Sequence, residues 1–315
     1  QSKYSTMAKF ADHAKILEDF KGMVDESVAS KLSESDCMRF IRARKYDAKK
    51  AAAMANKWGE WVITPIPGSN VTPETILDNP VDVNEEIYQR LMPHSNMTED
   101  KEGRPIYWEQ TGLISSRFSE ISSLLTVNDL VLRHIRQQEM MVRRLQHASK
   151  KHKKPIEKQV IVFNLENLSY SIDTKAMSTF KRTVDIDEAF YPERLQHFFM
   201  INAPWFFTAI WAVISPWLDP VTSDKIKILG SDYLPTLREY IDDDQIPPEL
   251  GGSAENFTWQ WPYPESSGAA PHQLAKIPPS SSVDGAQDES QSETSLLNPE
   301  QVAGEVDTPR MICEK

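Results

Sequence analysis

Cysteine is scarce in this chain of 315 residues: Cys37 and Cys313, near opposite ends, are the two it carries. That excludes a disulfide framework and a cysteine-based zinc site, and it fits a reducing compartment. No apolar run reaches the roughly 20 residues needed to cross a bilayer. The first twenty residues hold Lys3, Lys9, Asp12, Lys15, Glu18 and Asp19, so no signal peptide is expected there. The Asn-x-Ser/Thr triplets at Asn70, Asn96, Asn167 and Asn256 are then chance matches. Positive charge is in deficit, and a net charge of −11 argues against a nucleic-acid partner. Also missing are a G-x-x-x-x-G-K-[ST] loop, a G-x-G-x-x-G turn, a G-x-S-x-G elbow and an H-E-x-x-H pair. The seven histidines are scattered. The expectation is a chain with no catalytic residues, no metal site and no cofactor.

What the chain has is apolar material, 40% of its residues, including eight Trp and twelve Phe. Its most unusual stretch is Tyr191 to Gly230. Phe198-Phe199-Met200-Ile201 is a short apolar run of strand length. Between Pro204 and Pro216 lies WFFTAIWAVIS, without a single charge and with no face set aside for water. Ile226-Lys227-Ile228-Leu229 then alternates like a strand. Glu193, Thr222 and Lys225 flank this apolar material. Two readings fit. One is a core helix between two core strands, which asks for less; the other is a pocket for an apolar ligand with a polar head.

Residues 1–9 read as a tail. From Phe10 to Val24 apolar residues recur at helical spacing. Ser33 to Asp36 offers N-cap chemistry for a second helix through Arg44, and Asp47 can cap a third from Ala48 to about Ile63. These elements make an all-helical unit over 10–68. Glu85–Leu91 reads as a short helix. Glu102-Gly103-Arg104 is a turn before a strand at Pro105–Glu109, and a long helix runs from Thr126 to about His147. Lys158–Leu165 is a nearly continuous apolar strand, the mark of a sheet covered on both faces. Helices over Thr174–Phe190 and near Leu234–Tyr240 complete the alternation. Strands alternating with helices over 82–255 predict an α/β domain with a mostly parallel sheet. Beyond 265 Ser, Pro and acidic residues dominate, so 265–315 is expected to be a disordered acidic tail.

The basic run Arg143–Lys154 could meet anionic lipid heads. A solvated helix end, with cations favourably placed at the C-terminus, is the better account. Glu193 and Asp219 lack a neighbouring nucleophile or metal, and Asp219 ahead of Pro220 reads as a capping or turn residue.

Six segments in order carry a resemblance: Arg39–Asp47 (RFIRARKYD), Asp100–Tyr107 (DKEGRPIY), Tyr191–Leu195 (YPERL), Ile201–Pro204 (INAP), Pro216–Thr222 (PWLDPVT) and Lys225–Gly230 (KIKILG). Together they resemble the CRAL-TRIO lipid-binding family, most closely its yeast-type phosphatidylinositol transfer proteins, over about residues 10–255. The resemblance implies an N-terminal helical unit leaning on an α/β domain. The sheet would floor an apolar pocket, and the Pro204–Pro216 segment would be a mobile gate helix. It also implies that Trp205, Phe206, Phe207, Ile210, Trp211 and Val213 face lipid when the gate is open and the pocket when it is closed. Tyr107 is a pocket residue on the same grounds.

The family's phosphatidylinositol head-group residues map onto Arg44, Glu193, Thr222 and Lys225. The chemistry suits them: a phosphodiester calls for cations and a hydroxyl donor, and inositol hydroxyls call for an acceptor. Each has a plainer structural role open to it, an ion pair for Arg44 and a turn for Thr222 and Lys225. The family's phosphatidylcholine binders carry small hydroxyl residues where Gln159 and Ile161 stand here, and a tyrosine-rich turn where Ser95 and Asn96 stand. That leaves the second lipid open between a sterol and another phospholipid. The expected function is a non-enzymatic carrier that moves phosphatidylinositol between membranes or presents it to a lipid kinase. Its expected location is the cytoplasm, with transient contact to Golgi or endosomal membranes. The alternatives are a carrier of a sterol, tocopherol or retinoid, and a lipid-dependent scaffold whose tail recruits a partner.

Overall fold

In the computed structural model, residues 2–79, 91–170 and 173–259 are described, with side chains from His13 onward. Most of the Glu85–Leu91 segment, the 82 boundary and the tail 265–315 lie outside them. All described residues fall within one compact unit.

Four helices open the chain: α1 (Ser2–Met23), α2 (Glu26–Ala29), α3 (Glu34–Ala43) and α4 (Ala48–Val62). The start of α1 corrects the expectation of a tail over 1–9; no Gly or Pro precedes Gly22, so nothing in the local sequence stops the helix earlier. Ser33 caps α3 in a reciprocal capping box with Asp36, and Asp47 caps α4 by accepting from the Lys50 amide. Phe20, Phe40, Ile41, Ala51 and Ala55 form the buried centre of this unit.

The sheet follows, with strands β1 (His94–Glu99), β2 (Pro105–Glu109), β3 (Gln159–Asn164), β4 (Leu195–Ile201) and β5 (Ile226–Ile228) in spatial order 1-2-3-4-5. β1 pairs antiparallel with β2, and the remaining pairs are parallel. Gly103 makes the β1–β2 turn at φ 77°, a conformation that favours glycine. Strand β1 was not foreseen, because HSNMTE carries no apolar alternation. It pairs with β2, and one of its buried polar groups is satisfied inside, where the Trp108 indole donates to Thr98 Oγ1 at 2.7 Å.

Crossover helices link the parallel strands, as such pairing requires. They are α5 (Thr111–Ser116), α6 (Phe118–Leu124), α7 (Val127–His152) and α8 (Thr174–Phe190), followed by α9 (Phe207–Ile214), α10 (Pro220–Ser223) and α11 (Leu234–Tyr240). Thr126 and Asp129 form a capping box on α7, which runs five residues beyond His147 to end at a left-handed Lys153. Alternation along the strands gives the sheet two faces. The rear face (Ile106, Trp108, Val160, Val162, Phe199, Ile201) is sealed by Leu237, Ile241, Ile246 and Leu250. The front face carries Tyr107, Ile161, Phe163, Phe198 and Met200, and meets α7, α8 and α9.

Candidate functional site

The front face is walled by apolar side chains on three sides. Met140 of α7 packs with Tyr107, while Met177 and Phe180 of α8 and Phe207, Ile210 and Ile214 of α9 pack with Phe198 and Met200. Ile161 and Phe163 in the middle of the sheet are only half-buried. Tyr107 is buried on this face and donates to Glu109 Oε2 at 2.7 Å; burial first, and the Glu109 charge next, push its phenol well above the usual range.

A polar group sits behind Tyr107. His94 Nδ1 lies 2.8 Å from the Met92 carbonyl, so that nitrogen carries the proton; Arg133 Nη2 stands 3.0 Å from Nδ1 and 3.2 Å from Nε2, of which only the unprotonated Nε2 can accept from it. Burial, with the Arg133 and Arg144 charges, holds His94 down to about 3, so it is neutral at physiological pH.

Helix α9 divides the six expected gate residues. Phe207 and Ile210 are buried against the sheet, and Phe206 and Trp211 are half-buried. Trp205 is 83% exposed and Val213 52% exposed. Trp205 and Val213 do not turn inward here: at about 100° per residue Val213 lies roughly 90° round from the mean direction of Phe207, Ile210 and Ile214, on the flank of the helix. Tyr170, 73% exposed, joins the outer side, with its ring 5.1 Å from Phe206 and 6.4 Å from Trp205. Its sequence neighbourhood gave no signal of this.

Glu193 stands at the start of β4 on a firmly held turn. Tyr191 is buried, hydrogen-bonds Glu139 at 2.7 Å and meets Trp61 edge-on. Arg39 of α3 donates to the Pro192 carbonyl at 2.9 Å, and Arg194 reaches Asp36 at 3.3 Å. Between these anchors Glu193 adopts φ 58°, a left-handed conformation that costs a non-glycine residue about 1 kcal/mol or more. Its Oε2 is 3.8 Å from Lys225 Nζ and 3.2 Å from Lys158 Nζ. Burial lowers the Lys225 ammonium, Glu193 raises it and Lys158 lowers it again.

Thr222 belongs to the same corner: its carbonyl accepts from the Lys225 amide at 3.1 Å, just after the short helix α10. Asp219 caps that helix by accepting from the Val221 amide at 2.8 Å, the turn role its place before Pro220 suggested. Arg44, half-buried at the end of α3, donates to the Ala43 carbonyl at 3.2 Å, so its guanidinium is turned to its own helix end rather than to Glu193. Lys158 was missed by sequence reading because it reads as the polar lead-in to an apolar strand. Only the parallel pairing of β3 with β4 sets it beside Glu193.

Much of the basic run is engaged within the protein, with Arg143 on Asp78, Lys151 and His152 on Glu99, Lys154 on Glu102, and Arg144 on the Asn96 carbonyl. That fits the helix-end account. Among the described residues no group of His, Cys, Asp and Glu could hold a metal ion, and no helix is long and apolar enough to cross a membrane.

Residues 95–252 match the family model for the CRAL/TRIO domain. The chain belongs to that family. It is 29% identical to the SEC14 cytosolic factor of Eremothecium gossypii, over 78% of either chain. It is 30% identical to the SEC14 cytosolic factor of Candida glabrata, over 71% of this chain and 72% of that one. The phosphatidylinositol/phosphatidylcholine transfer protein SFH7 of Arabidopsis thaliana is 32% identical over 68% of this chain, which spans 38% of that longer protein. The crystal structure of Sfh5 shares the fold, with a TM-score of 0.58 at 18% identity and 75% coverage of each chain. The CRAL/TRIO segment starts at Ser95 in β1 and ends at Gly252, so it contains the whole front face, α9 and the Glu193 corner.

Proposed function

We propose that this protein is a non-enzymatic carrier of one phospholipid at a time, with phosphatidylinositol as the head group recognised at the Glu193 corner. The observation that carries this reading is the juxtaposition of Glu193, Thr222 and Lys225 with an uncharged lid helix over a half-buried apolar sheet face. The acyl chains lie against Ile161, Phe163 and Phe198; Lys225 and the Thr222 hydroxyl meet the phosphodiester, and Glu193 accepts from the inositol hydroxyls. Arg44 joins them by swinging from its helix end. Relatives named as phosphatidylinositol/phosphatidylcholine transfer proteins support a phospholipid cargo.

The driving term is burial of the tails, about 0.8 kcal/mol per methylene. Since the tails leave one apolar phase for another, the net change is small, and the rate falls to the opening of α9, a microsecond-to-millisecond class of motion. Trp205, Val213 and Tyr170 give the lid an outer apolar side that a membrane surface can take up; aromatic rings of this kind favour the interface. The cargo is delivered to a membrane or presented to a lipid kinase from the cytoplasm, with transient contact to Golgi or endosomal membranes.

The test is transfer of phosphatidylinositol between vesicles by the double variant Lys225→Ala, Thr222→Ala. Transfer is expected to be abolished with the melting curve preserved; undiminished transfer rejects the head-group site. If the cargo is instead a sterol, lipid extracted from the wild-type protein after incubation with mixed vesicles will contain sterol and no phosphatidylinositol.

A further inference from the structure

We infer that Lys158 is a specificity-determining residue of the head-group corner, and that with Lys225 it restricts the cargo to lipids whose head group is a net anion. This rests on the carrier reading above and deepens it.

Two ammonium groups share one carboxylate oxygen. Lys158 Nζ and Lys225 Nζ both approach Glu193 Oε2, at 3.2 and 3.8 Å. One carboxylate offsets one ammonium. The side chains are only 27, 18 and 18% exposed for Lys158, Lys225 and Glu193, so water screens the remaining charge poorly. The neighbouring acids are engaged elsewhere. Glu157, adjacent in sequence, accepts from Arg42 at 2.8 Å and from Ser35. Asp36 holds Arg39 and Arg194. Asp219 acts on Lys225 from a distance, but it is exposed and its carboxylate caps α10. The corner is left with a positive charge that Glu193 does not cancel.

Such a corner discriminates by the sign of the whole head group. A phosphodiester carrying a neutral polyol brings one negative charge and satisfies the second lysine by a charge-assisted hydrogen bond. A choline or ethanolamine head brings the same phosphate with a cation attached, which two lysines repel.

The experiment incubates the full chain with vesicles of phosphatidylcholine and phosphatidylinositol, re-isolates the protein and quantifies both bound lipids. Wild type, Lys158→Ala and Lys158→Arg are compared. The bound ratio of phosphatidylinositol to phosphatidylcholine is expected to fall about tenfold in Lys158→Ala, the loss of one charged hydrogen bond, and to recover in Lys158→Arg. An unchanged ratio in Lys158→Ala, with phosphatidylinositol bound by wild type, overturns the role of Lys158 while leaving the carrier reading in place. Absence of phosphatidylinositol from wild type overturns the carrier reading itself. A repeat with excess inorganic phosphate separates a lipid head group from a free anion. An unchanged ratio is expected, and displacement of the bound phosphatidylinositol would assign the corner to soluble phosphate instead.

Discussion

The rear face of the sheet holds Ile106, Trp108, Val160, Val162, Phe199 and Ile201, all without solvent exposure, under a cover supplied by α11 and the segment after it. The front face holds Tyr107, Ile161, Phe163, Phe198 and Met200 under a cover supplied by α7, α8 and α9, and Ile161 and Phe163 stay half-buried. Both faces are apolar and come from the same strands. They differ in how fully the cover closes, and that divides stability from ligand capacity. A face packed to crystal-like density has no room to change. A face left partly open can exchange its cover for a lipid tail.

The sharpest break of this comparison is Trp108→Ala. It should cost about 4 kcal/mol by cavity formation and leave the Thr98 hydroxyl without its donor, read as a large drop in denaturation midpoint. Acidification comes next. The His94 imidazole is held well below its unfolded value, so its contribution is present above about pH 6.5 and is lost as pH falls toward about 3. The slope from this group is at most about 1.4 kcal/mol per pH unit. Denaturation measured across that range should show it, and His94→Gln should flatten it; parallel curves would mean that the front-face polar group does not titrate as argued. Phe163→Ala on the front face should cost only roughly 2 kcal/mol, about half the Trp108 effect, while changing lipid capture. Equal losses at both positions would erase the distinction between faces. The smallest effect is expected for Trp205→Ser, within about 0.5 kcal/mol in stability because the ring is exposed, yet with weaker binding to vesicles in a sedimentation assay.

Much of this was legible in the residues. Ser33 and Asp47 cap their helices as their placement suggested, because a short polar side chain before an apolar-periodic run satisfies an amide that the helix cannot. The continuous apolar character of Lys158–Leu165 announced a strand of a sheet covered on both faces, and β3 is the central strand of the five. Strand β1 was not legible, since HSNMTE has no apolar alternation and its place is set by antiparallel pairing with β2. The start of α1 was missed because a polar sequence without breakers looks the same in a helix and in a tail.

The corner residues show where sequence stops. Glu193, Thr222 and Lys225 were nameable because the short motifs that hold them resemble those of the family. Lys158 was not, because it belongs to no motif and owes its place to the pairing of β3 with β4. Likewise the charge-free Pro204–Pro216 segment fixed that a short apolar helix would form, and not which of its rings would be buried. Local patterns determine elements, since capping and periodicity act over a few residues. Which charges share a carboxylate, and which side of an all-apolar helix meets water, depend on surfaces brought together from distant parts of the chain, and only the tertiary structure decided them.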